Sequence, residues 1–200
     1  WVTQFDNPVL IRIPNDEPNS SPTDPAENSG IQYAIENDGL LDAGLGHVRL
    51  AASDPLGFAI RLGSGTNQAP ARITATQISL EGGETGRVHL SGEIDASDPS
   101  MNGVGGEIEV TGSMIVLEGA EIHSSGSIGG GTIRIGGERE GRGELQRANL
   151  VLIDRESEIH ADAIVAGDGG QVIVFAEDLS SVDGAISARG GADGGDGGFV

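Results

Sequence analysis

Four histidines (His47, His89, His123, His160) and 31 Asp and Glu residues are the side chains that could do acid–base or metal chemistry in this chain of 200 residues. The absence of cysteine removes thiolate metal sites and thiol nucleophiles. His123 and His160 hold the same place in two copies of an isoleucine–polar–small triplet, so they could lie close together on an outer face. A metal site needs several ligands converging on one point, and the plain reading of two such histidines is a pair of solvated outward residues. Asp42 and Asp95 hold the equivalent place in other triplets. Glycoside hydrolysis needs a carboxylate pair at a defined separation with one pKa raised. The sequence marks no pair as special, and six aromatic residues (one Trp, one Tyr, four Phe) offer little sugar-stacking surface. Gly190–Gly198, with Asp193 and Asp196, is similar to a calcium-binding glycine–aspartate nonapeptide. That motif binds by repetition and is present here once, so a solvated loop is expected. Gly129-Gly130-Gly131 lacks the Lys-Ser/Thr and the following helix of a phosphate cradle. The expectation is therefore a non-catalytic chain with no catalytic, cofactor-binding or metal-ligating residue and no cofactor.

What must position these side chains follows from composition and repetition. The formal net charge is −20, with 11 scattered basic residues, which disfavours a nucleic-acid partner. The acidity suits a self-repelling surface that could attract divalent cations. No stretch approaches the roughly 18–20 apolar residues that span a bilayer. The chain opens on Trp1-Val2-Thr3 and stops at Gly197-Gly198-Phe199-Val200, so both ends read as cut from something longer. Glycine supplies 34 residues without a collagen triplet, a sign of many turns between short strands.

Residues 1–30 begin with a possible strand around Val9-Leu10-Ile11-Arg12-Ile13, followed by a Pro-rich, aperiodic, exposed loop. From residue 31 to 200 a two-part phrase recurs. The first part is the triplet: Leu41-Asp42-Ala43, Ile73-Thr74-Ala75, Ile94-Asp95-Ala96, Ile122-His123-Ser124, Ile159-His160-Ala161, Ile186-Ser187-Ala188. The second is a glycine followed by period-two alternation: Gly46 to Leu50, Gly86 to Leu90, Gly106 to Val110, Gly131 to Ile135, Gly170 to Val174. Constant phrases at variable spacing read as one structural unit with loops of different length between fixed strands. Alternation sends Val, Ile and Leu one way and polar residues the other. Coil upon coil, the apolar set then stacks into one column about 4.8 Å apart, a core no single rung could bury alone. The expected fold is all-β, a right-handed parallel β-helix (solenoid) with inter-rung loops. A β-propeller is the rival, but it wants longer strands in sets of four.

The order of these phrases closely resembles the β-helical repeats of filamentous-haemagglutinin-like exoproteins of the two-partner secretion pathway. Its succession runs from Gly129-Gly130-Gly131-Thr132-Ile133-Arg134-Ile135-Gly136-Gly137 through Ser157 to Ala163, Gly167 to Ala176 and Gly184 to Gly191, and Gly86 to Ser97 fits the same pattern. The chain departs from that family in lacking an Asn-Pro-Asn-Gly type secretion motif, so the stretch reads as shaft beyond the secretion domain. The resemblance implies a secreted protein at the cell surface of a Gram-negative bacterium. Its partner during export is an outer-membrane secretion pore, and its role is adhesion, aggregation or biofilm-matrix attachment. The alternatives are an extracellular polysaccharide-active enzyme on the same scaffold, or a passenger module for a host-surface or matrix polysaccharide or protein ligand. The charged loop Glu138 to Glu144 is expected to project into solvent, and it and residues 14–30 are the expected partner contacts.

Overall fold

The computed structural model describes residues 9–12, 33–52, 58–63 and 71–200. In chain order the strands are β1 (Val9–Arg12), β2 (Ile35–Asn37), β3 (Leu40–Ala51), β4 (Phe58–Leu62), β5 (Arg72–Glu81), β6 (Arg87–Leu90), β7 (Glu93–Asp95), β8 (Glu107–Thr111), β9 (Met114–Leu117), β10 (Glu121–His123), β11 (Thr132–Ile135), β12 (Leu150–Ile153), β13 (Glu158–His160), β14 (Gln171–Val174), β15 (Leu179–Val182) and β16 (Ala185–Ser187). The helical content is one 3-10 turn, Arg139–Gly141, among the described residues. Every pairing between these strands is parallel, and each strand pairs with its counterpart one coil on rather than with its chain neighbour. The result is a β-solenoid of about five turns, and the propeller alternative falls.

Three faces repeat in the same order. Face A stacks β1, the second half of β3, the second half of β5, β8, β11 and β14. Face B stacks β2, β4, β6, β9, β12 and β15. Face C stacks the first half of β3, the first half of β5, β7, β10, β13 and β16. The triplets are face C: Ile73 pairs with Ile94, Ile94 with Ile122, Ile122 with Ile159 and Ile159 with Ile186. The glycine phrases at Gly46, Gly106, Gly131 and Gly170 lead into face A. The phrase at Gly86 belongs to face B, since β6 pairs with β4 and β9. In that coil face A is Gln77 to Glu81, reached without a glycine through the continuous strand β5. The sequence reading therefore counted one face B strand among the face A phrases and gave face B no phrase of its own.

One core runs the length of the solenoid. Ile73, Ile94, Ile122 and Ile159 from face C, Leu80, Ile108, Val110, Ile133 and Ile135 from face A, and Val88, Leu90, Ile115 and Val151 from face B are all 0% exposed. Alternation puts these side chains inside at every second position, and the backbone polar groups are paired laterally between coils, so the interior is dry. Small residues turn the corners. The third triplet position is Ala43, Ala75, Ala96, Ala161 or Ala188, and in one coil Ser124, whose buried hydroxyl donates to the Gly106 carbonyl at 2.7 Å. Gly131 is confined by that same corner. A Cβ there would meet the Ser124 hydroxyl and the Gly106 carbonyl, so the coil-to-coil approach admits no side chain.

Candidate functional site

Of the titratable residues singled out in the sequence, Asp42, Asp95, His123 and His160 lie on the outside of face C, because its outward positions flank each buried triplet residue. One outward row reads Arg72, Glu93, Glu121, Glu158 and the next reads Thr74, Asp95, His123, His160, Ser187. The His123 and His160 rings stack at 5.3 Å between centroids and 8° between planes. That closeness follows from coil pitch. Each imidazole is drawn toward the carboxylate two residues earlier on its own strand, His160 Nε2 to Glu158 at 3.1 Å and His123 Nε2 to Glu121 at 3.7 Å. Asp95 accepts from Arg72 at 2.9 Å and from the Ser97 backbone N–H, and Arg72 also reaches Glu93 at 3.3 Å. Asp42 accepts the Gly44 N–H at 2.8 Å, a local turn contact.

The most connected group lies at the last coil of this face. Asp162 is nearly buried and accepts from the Arg189 backbone N–H at 2.6 Å, from the Arg189 guanidinium at 2.7 Å and from the Ser187 hydroxyl at 2.9 Å. Burial pushes this carboxyl up, but the hydrogen bonds from Arg189 and Ser187 outweigh it and hold Asp162 below the usual carboxylate range. Ser187 Oγ also lies 2.7 Å from His160 Nδ1, which completes a Ser187–His160–Glu158 series. A nucleophilic serine must give its proton to the histidine. Here the Ser187 hydroxyl donates to Asp162 at 2.9 Å, so the series runs in the sense of a brace between coils.

Face A carries a second network. Arg134 contacts Glu107 and, at 2.9 Å, Glu109 on the coil before it. Burial, then repulsion from Glu107, pushes the Glu109 carboxyl above its ordinary value, with Arg134 pulling the other way. Such a carboxylate pair with one member raised is the pattern of general-acid chemistry. The guanidinium lodged against both is the pattern of an ion-pair brace. Arg49 and Glu81 form a bidentate pair on the same face, and the hydrogen bond from Arg49 lowers Glu81.

The loop expected to project is exposed at its tip and pinned at its base. Glu138 accepts the backbone N–H groups of Glu144 and Leu145, and the ring of Phe175 lies against Gly141. Arg139 sits over the Phe199 ring at 4.4 Å, Arg147 pairs with Glu177 at 3.1 Å, and Gln146 donates to the Gly83 carbonyl at 2.7 Å. Its tip (Arg139, Glu140, Arg142, Glu144) is exposed, while its base lies along the corner between faces A and B. Coils on both sides hold it because it carries apolar and amide groups between its charges, which a reading of charge alone passes over.

His47 is exposed on face A and His89 sits on face B, 3.1 Å from Glu118, so the four histidines do not converge. Among the described residues no group of three or more His, Asp or Glu could hold a metal ion. Asp193 is exposed, and Asp168 accepts the Asp196 N–H, so Gly190–Gly198 is closed on the loop of the coil before it. Gly130 and Gly131 pack against backbone of adjacent coils. Residues 14–30 lie outside the described residues. The sequence reading missed Arg72, Asp162, Ser187 and Arg189. Lining up the triplets and continuing one position past each would have found the row Ser97, Ser125, Asp162, Arg189.

No protein-family model matches this chain, and no curated protein matches it. Among the described residues no helix is long and apolar enough to cross a membrane.

Proposed function

We propose that this chain is part of the rigid, non-catalytic shaft of a secreted bacterial adhesin of the filamentous-haemagglutinin-like type. In this reading it is exported through an outer-membrane pore and holds cells to a host surface or a biofilm matrix. The observation that carries the reading is the all-parallel, coil-to-coil pairing of three faces over one core, with outward charges paired from coil to coil. A stack that buries one continuous column and ties its own surface residues together suits a spacer that must transmit load. Export in an extended state followed by coil-by-coil folding also suits a chain whose coils each rest on the one before.

The polysaccharide-active alternative draws on one observation, the raised Glu109 carboxyl beside Glu107. A single experiment separates the two. Beads coated with the chain are tested for retention on surfaces of acidic and neutral matrix polysaccharides and host-cell glycoproteins, and the fluid is assayed for new reducing or unsaturated ends. Retention without released ends supports the adhesive shaft. Released ends that disappear in Glu109→Gln overturn it in favour of the enzyme.

A further inference from the structure

Face B differs from the other two in what it turns outward. Its outward positions on β6, β9, β12 and β15 are Arg87 and His89, Met114 and Val116, Leu150 and Leu152, and Leu179 and Ser181. None is a carboxylate, in a chain of net charge −20. At equivalent positions face A carries Glu107 and Glu109, and face C carries Glu93, Asp95, Glu121 and Glu158. Met114, Val116, Leu150 and Leu152 are partly exposed side by side, and Leu179 is 53% exposed. Two apolar outward rows on adjacent strands are not what a solvated wall needs.

The charges without an ion-pair partner among the described residues differ in sign at the two ends of this apolar row, although the β6 end also holds Glu118, 3.1 Å from His89, and Glu177 at the β15 end is paired with Arg147. At the β6 end, Arg87 lies over the Phe58 ring at 5.6 Å with Nε 3.0 Å from the Met114 sulfur, and it pairs with no carboxylate among the described residues. At the β15 end the row is rimmed by exposed Glu177, Asp178 and Asp183.

We propose that face B docks against face B of a second copy of this chain, the two solenoids antiparallel about a two-fold axis between β9 and β12. That operator lays the Met114, Val116, Leu150 and Leu152 rows on each other and brings Arg87 of each copy to the acidic rim at the β15 end of the other. A parallel pairing would set rim against rim. Pairing through faces A or C would oppose rows of carboxylates. The apolar patch covers four strands at about 4.8 Å by four residues at about 3.3 Å, well below the roughly 800 Å² per partner of a standard interface. A single contact is therefore weak, and it gains strength by repetition where several such patches lie along one shaft. This inference rests on the shaft reading for its repeated contacts, not on the adhesive role, and concerns how shafts bundle side by side.

The absence of cysteine makes a direct test possible. Val116→Cys, Glu109→Cys and Glu121→Cys place one thiol on faces B, A and C in turn, and each is treated with a short bismaleimide. Circular dichroism confirms that each variant is folded. The expected result is covalent dimer from Val116→Cys alone, with sedimentation velocity showing a monomer–dimer equilibrium that strengthens with salt as the net charges are screened. Arg87→Glu weakens that equilibrium at least about tenfold, and adding Asp178→Arg to it restores most of the loss. Monomer at every concentration up to about 1 mM, the range of weak contacts, overturns the proposal. So does equal cross-linking from all three faces, or failure of the double charge reversal to restore association.

Discussion

Replacing Ile122 by Ala tests the dry column directly. Ile122 is fully buried, with Ile94 one coil before it and Ile159 one coil after. The substitution removes three carbons, worth about 0.8 kcal/mol each, or about 2.4 kcal/mol of transfer free energy. The hole cannot close easily, because both neighbouring isoleucines are held by backbone pairing at strand spacing. A cavity contribution of about 1 kcal/mol follows, giving a total near 3.5 kcal/mol, inside the usual range of about 2–5 kcal/mol for such changes. Equilibrium urea unfolding followed by far-UV circular dichroism reads the total. Stacked-coil arrays do not always unfold in one step, so amide hydrogen exchange reads the location. Protection should fall most in β7, β10 and β13, and least in β2 and β4. A loss below about 1 kcal/mol with an unchanged denaturant slope is what a solvent-facing isoleucine gives. That result would refute the stacked core.

Gly131→Ala should lower stability by about 1–3 kcal/mol, because its methyl group meets the Ser124 hydroxyl and the Gly106 carbonyl, which are already bonded to each other. Gly129→Ala, whose Cβ would sit 3.5 Å from a Val104 methyl, should be close to neutral, and the two melting temperatures compare them. Asp162 is held below its ordinary value, so its contribution is present above the usual carboxylate range and lost as pH falls through the folded value; Asp162→Asn should flatten the acid limb of a stability–pH curve. Glu109 is pushed above its ordinary value, so its contribution is unfavourable once pH rises past that value. Glu109→Gln should therefore cost less at neutral pH than Arg134→Ala, which leaves two carboxylates facing each other, as urea midpoints would show.

Much of the architecture can be read in the chain because the triplet is a complete local signal. It has one inward Ile or Leu, one outward polar residue and one small corner residue, and aligning its copies reproduces the face C register at the first two positions, while in the first copy the register shifts at Ala43 and Gly44 pairs with Ala75. Face B was hidden by its own chemistry. Met114-Ile115-Val116-Leu117 and Leu150-Val151-Leu152-Ile153 are apolar on both sides, so alternation vanishes although the strands are as regular as any other. Strand β5 hid a face in another way, by passing a corner at the exposed residues Thr76 and Gln77 without a glycine. The side-chain networks were legible only in outline. His123 over His160 follows from the register, but the reach of Arg189 to Asp162 and of Gln146 to Gly83 depends on where long side chains cross between coils.

The segment between β11 and β12 bonds to Gly83 two coils before it and rests against Phe175 and Phe199 in the two coils after it. In a stack where each layer touches only its neighbours, tension peels layers off singly. A strap laid across five layers ties their fates together. Pulled from its ends, this part of the chain should resist and then give way as one large block, so a force–extension trace would show a single long release in place of an even staircase.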